Sequence, residues 1–73
     1  MVNLELSIAP MHRIIKKAKA DRVSETAAHA LAAALEEIGI RIAKEAIDYA
    51  VHAGRKTVQG VDIEIATRKI LGK

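Results

Sequence analysis

Apolar and polar positions along the chain fall into three segments with helical spacing. Ala9–Pro10 suits a helix start, because proline's fixed φ and missing N–H are tolerated in the first turn. Ile14, Ile15 and Ala18 follow at i, i+1 and i+4 and predict a short helix from about Pro10 to Lys19 with one apolar face. The run KADRVS then reads as a loop. It ends on Ser24, a good N-cap, with Glu25 placed to complement the positive end of the next helix.

From Glu25 to His52 nothing interrupts the helical pattern except Gly39. At 100° per residue, Leu31, Leu35, Ile38, Ile42 and Tyr49 share a narrow wedge, while Ile40, Ala43, Ile47 and Val51 fall on the opposite side. Polar residues are left only the flank of Glu37, Arg41, Lys44 and Asp48. Twenty-eight residues rising about 1.5 Å each make a helix about 42 Å long. A compact chain of this length has a gyration radius near 11 Å, hence a diameter of only about 30 Å. Two short helices cannot cover both faces of such a helix, so the pattern predicts an obligate, intertwined dimer with Leu31, Leu35, Ile38 and Ile42 in its core. Gly39 costs about 1 kcal/mol within a helix, and close approach of a crossing backbone is one reason to keep it.

Gly54 is placed to end the long helix as a left-handed C′ residue. Val58 to Val61 leads into a third helix whose inward stripe is Ile63, Ala66 and Ile70. Its start reads as weak, because Gly60 lies in the first turn and Asp62 is the only acid there. No internal repeat, low-complexity tract or linker divides the chain. One all-α domain over residues 1–73 is expected, with residues 1–8 as a short N-terminal arm.

Composition sharpens the case for assembly. Half of the residues (51%) are apolar, yet there is no Phe or Trp and one Tyr, so the core is Ala, Ile, Leu and Val. A monomer of this size with such a core is marginal. The absence of Cys removes disulfides, thiolate nucleophiles and Cys-based zinc sites together. No run approaches the roughly 18 apolar residues of a membrane span, and MVNLELSIAP lacks both a basic leader and a hydrophobic stretch. A cytoplasmic protein is the expectation.

The net charge of +3 is unevenly spread. Arg13, Lys16, Lys17, Lys19 and Arg22 stand against Asp21 alone, a balance of +4 over residues 13–22. Residues 23–51 carry −3, and residues 52–61 add Arg55 and Lys56 with no acid. Two cationic segments flanking an acidic middle are the footprint of a surface directed at a polyanion. The turn HAGRKTV concentrates His52, Arg55, Lys56 and Thr57 around Gly54.

The short–long–short helix order is that of the histone fold. IAP-x-x-RIIK, DRVS, HAGRKT and DIE-x-A resemble the archaeal-type histones in order and spacing, from about Ile8 to Ile70. The resemblance implies two chains paired head to tail, crossing at their long helices, with each first loop beside the partner's second loop. It implies binding, bending and compaction of double-stranded DNA with little sequence preference. Arg13 and Arg22 would enter the minor groove, Thr57 would orient the partner's Arg22, Lys56 would meet phosphate, and Lys16 would contact the backbone. Arg55 and Asp62 would be an internal ion pair bracing the second loop. Tyr49, His52, Asp62 and Ile65 would form a contact between dimers, giving tetramers or larger assemblies on DNA. The implied partners are duplex DNA, a second copy and a histone paralogue, at the chromosome or nucleoid, with no membrane, metal or cofactor.

Three positions depart from the family's pattern. Lys19 stands where members that stack into a continuous superhelix often have Gly, so it would crowd adjacent turns or bridge to an acid there. Gly60 replaces a usual Ala and Val61 a usual Glu, which predicts a fraying third helix. Other functions fit less well. His12, His29 and His52 lie far apart on separate elements or turns, Glu36–Glu37 reads as a solvated face, and no nucleophile, paired-carboxylate or phosphate-loop motif occurs, so an enzyme is not expected. Single-strand binding needs stacking platforms, and Tyr49 is the only aromatic. The competing reading is a histone-fold interaction module of a regulatory complex without DNA packaging, which need not keep Arg13, Arg22, Lys56 and Thr57.

Overall fold

The computed structural model describes residues 8–72. They form three helices: α1 (Ile8–Lys17), α2 (Glu25–His52) and α3 (Gly60–Leu71), with no strand among them. The short–long–short order is as the periodicity predicts. The bounds of α1 differ by two residues at each end. Pro10 is its third residue, a position whose N–H would have no intrahelical partner, so the helix can begin at Ile8. Ile8 is thus helical rather than part of an arm; the remainder of the expected arm, residues 1–7, lies outside the described residues.

At its other end α1 stops at Lys17 because the chain turns left-handed at Lys19 (φ 79°). The Lys19 N–H donates to the Lys16 carbonyl at 2.9 Å, and the Ala20 N–H to that of Ile15 at 3.5 Å. This is a Schellman termination with lysine in the place usually held by glycine. The end of α2 repeats it with the expected residue. Gly54 has φ 74°, its N–H reaches the Val51 carbonyl at 2.9 Å, and the Arg55 N–H reaches that of Ala50 at 2.9 Å. Ser24 caps the start of α2, where its Oγ accepts the Ala27 N–H at 3.1 Å.

The chain divides into two units within α2, one ending at Glu37 and the other beginning at Ile38. In the first, Met11, Ala28 and Ala32 are buried, with Ile8, Leu31 and Leu35 packed against them. The inward residues of α1 are therefore Ile8 and Met11, spaced i, i+3. Of the expected face, Ile15 is half-buried, Ile14 is 45% exposed and Ala18 is exposed, because the helix begins earlier and turns a different side inward. In the second unit, Ala46, Ala50, Ala66 and Asp62 are buried. Of the expected α3 stripe only Ala66 is fully covered; Ile70 is half-buried and Ile63 is 39% exposed, hardly less than Ile65 at 40%.

Alanines thus make most of the buried core within one chain, and the larger apolar side chains stay partly open. Leu31, Leu35, Ile38 and Ile42 are half-buried. Ile40, Ile47 and Val51, on the opposite side of α2, are 51%, 49% and 64% exposed. No helix among the described residues is long and apolar enough to cross a membrane.

Candidate nucleic-acid interface

The best-ordered polar feature lies at the start of α3. Arg55 extends from the segment after α2 and grips Asp62: Nη1 donates to Oδ2 and Nη2 to Oδ1, each at 2.9 Å. The Asp62 side chain is 3% exposed and that of Arg55 29%. The same Oδ2 accepts the Gln59 N–H at 2.8 Å, which closes the first turn of α3 from outside. Arg55 Nη1 also donates to the Thr57 carbonyl at 3.0 Å. One guanidinium therefore fixes both the loop and the helix that follows it, and the weak start predicted from Gly60 is braced by Asp62.

This hydrogen bonding with Arg55, assisted by the Gln59 N–H, holds the Asp62 carboxyl below its usual range, against the opposing effect of burial. The Asp62 carboxylate raises Arg55 in turn. A second pair joins α3 to α2: Lys69 Nζ lies 3.2 Å from Glu45 Oε2, and Glu45 shifts the Lys69 ammonium upward.

The brace leaves Lys56 and Thr57 on an exposed turn. In the first unit, Arg13 is exposed on α1 and Arg22 exposed in the loop before α2. No described residue holds the Arg13, Arg22 or Lys56 side chain, so these cations face solvent. Lys16 differs: its Nζ donates to the Asp21 backbone carbonyl at 2.7 Å. Each basic segment thus has exposed cations set by a backbone turn at a helix end, a geometry suited to phosphate.

The residues expected in contact between dimers occupy different environments. Tyr49 is half-buried, His52 and Ile65 are exposed, and Asp62 is buried. His52 Nδ1 lies 2.7 Å from the Asp48 carbonyl and so carries the hydrogen, which leaves Nε2 facing outward. Asp62 already accepts three hydrogen bonds within the chain.

One histidine relationship is corrected by the fold. His12 and His29, expected to be far apart, flank one carboxylate: their Nε2 atoms lie 3.4 and 3.8 Å from Glu25 Oε1 and Oε2. The i, i+4 spacing of Glu25 and His29 was readable in the chain; the approach of His12 depends on how α1 packs at Met11. No cluster among the described residues is arranged to hold a metal ion.

The chain is similar to two archaeal proteins. One is the archaeal histone HAN1 of Thermococcus zilligii, 55% identical over 64 residues, which cover 88% of this chain and 96% of the relative. The other is "Probable archaeal histone 3" of Methanocaldococcus jannaschii, 53% identical over 64 residues, with the same coverage of 88% and 96%. The family described as histone-like transcription factor (CBF/NF-Y) and archaeal histone matches residues 4–67, which contain all three helix starts and both basic segments. With its three helices in histone-fold order, the chain belongs to that family of archaeal histones and histone-like transcription factors.

Proposed function

We propose that the protein binds double-stranded DNA with little sequence preference and bends and compacts it as a dimer. The observation that carries this reading is the coincidence, within the matched residues 4–67, of relatives named archaeal histones with Arg13, Arg22, Lys56 and Thr57 all exposed at helix-end turns. A histone-fold protein devoted to protein contacts has no need of all four.

A second copy covers the apolar side of α2 that carries Ile40, Ile47 and Val51, and completes the core begun by Leu31, Leu35, Ile38 and Ile42. Head-to-tail pairing then sets the first loop of each copy beside the second loop of its partner. Arg22 and Thr57 become neighbours across the interface, with Lys56 toward phosphate. Arg13, with Lys16 beside it at i+3, marks a central contact where the first helices of the two copies meet. Arginine in a narrowed minor groove reads width and potential rather than base identity, so bendable duplexes are preferred over any one motif. Tyr49, His52 and Ile65, with the remaining acceptor capacity of Asp62, join dimers into larger assemblies on DNA. The partner is a second copy or a paralogue, and the site of action is the chromosome.

The test is duplex affinity on two unrelated sequences across a salt series. If a dimer neutralises about eight phosphates, log K falls with a slope near −7 in log salt on both. Absence of duplex binding even at low salt contradicts the proposal and favours the protein-interaction reading.

A further inference from the structure

We propose that Lys16 is a positioning residue for Arg22, acting through the backbone of the first loop rather than as a phosphate contact. The proposal rests on the DNA-binding reading above. Lys16 projects from the last turn of α1, and its Nζ donates to the Asp21 carbonyl at 2.7 Å. That carbonyl belongs to the peptide whose nitrogen is Arg22's own, so the bond fixes the plane from which the Arg22 side chain departs.

The loop needs such a tie. It leaves α1 through a left-handed lysine at φ 79°, a conformation that costs a side-chain-bearing residue free energy, and reaches the Ser24 cap five residues later. Between these two fixed points Asp21 and Arg22 are exposed, and the Lys16 ammonium is the cross-loop donor to them. A charged donor makes a stronger bond to a carbonyl than a neutral one. The second loop has a parallel arrangement: Arg55 Nη1 donates to the Thr57 carbonyl at 3.0 Å, one residue beyond Lys56. In both loops a cation near a helix end is spent on the backbone of the loop, while its neighbours in sequence remain open.

Lys17 provides the charge control, because it is an adjacent exposed lysine for which no loop bond is seen. The experiment is a double-mutant cycle on duplex affinity with Lys16→Met and Arg22→Ala, alongside Lys17→Met and Lys16→Arg. A positioning role predicts that Lys16→Met weakens binding about three- to tenfold more than Lys17→Met, as expected for loss of one charge-assisted bond. That excess disappears in the Arg22→Ala background, and Lys16→Arg, which keeps a donor of similar reach, restores wild-type affinity. Full additivity of Lys16→Met and Arg22→Ala overturns the proposal. Amide hydrogen exchange without DNA separates this failure from failure of the DNA-binding reading. Exchange at Arg22 and Val23 should quicken in Lys16→Met and not in Lys17→Met; unchanged exchange in Lys16→Met rejects the tie itself.

Discussion

Arg55 and Asp62 form a two-bond pair whose carboxylate end is almost fully buried, and through the Gln59 N–H and the Thr57 carbonyl that pair organises the segment carrying Lys56 and Thr57. Replacing Asp62 by Asn removes the ion pair and leaves Arg55 partly covered without its counter-charge. Asp62→Asn should lower the melting temperature by several degrees and weaken duplex binding, although neither side chain is placed against DNA in this account.

The same pair sets an acid limit. Asp62 is held below its usual value of 3.8 in the folded chain, so its contribution is complete above that value and is lost as pH falls through the lower folded value. Lys69 is shifted the opposite way, above its usual 10.5, so its contribution is complete below that value and is lost as pH rises through the higher folded value. Denaturant midpoints measured from pH 2 to 6 should fall at the acid end in the wild type. They should fall less steeply in Asp62→Asn, which has no carboxylate to protonate there.

Lys19 holds a left-handed conformation that glycine adopts without a Cβ penalty. Lys19→Gly should stabilise the free protein by about 1 kcal/mol, read as a higher denaturant midpoint at unchanged slope. It should also lengthen the DNA protected from nuclease, because a long cation no longer stands between adjacent turns of a superhelix. Equal footprints for the two proteins would refute that second effect and leave the first standing.

Gly54 gives the converse case. An added Cβ meets nothing within 4 Å, so the cost of Gly54→Ala is purely that of φ 74°. The substitution should destabilise by about 1 kcal/mol, and the displaced second loop should weaken DNA binding as well.

Arg22→Ala should weaken binding on every duplex tested, by a similar factor on each. A loss confined to one motif would mean that Arg22 reads bases rather than groove shape.

The residues that announced the fold did so because their chemistry is local. Ser24 as N-cap, Gly54 as C′ residue and the unbroken run from Glu25 to His52 depend only on near neighbours, and the structure places them as the spacing predicts. The end of α1 was not legible, because lysine gives no sign of a left-handed turn. The buried side of α1 was misplaced for a related reason. Moving the helix start from Pro10 to Ile8 brings Met11 inward in place of Ile14, and only packing against Ala28 and Ala32 decides that. At the candidate interface, the Arg55–Asp62 pair was implied by family resemblance, while the Gln59 bond that makes it a helix brace was not. Lys16 was read as a backbone contact of DNA because charge and spacing reveal where a cation sits, not which carbonyl it reaches.

The account depends most on the second copy, since Ile40, Ile47 and Val51 lie half or more open in one chain and the cationic loops of a single chain supply only part of each proposed DNA site. Sedimentation equilibrium of the free protein at micromolar concentration, with helicity followed on dilution, tests this directly. The predicted result is a species of twice 7.9 kDa whose helical signal is lost as it dissociates. A fully helical 7.9 kDa monomer under those conditions would contradict it.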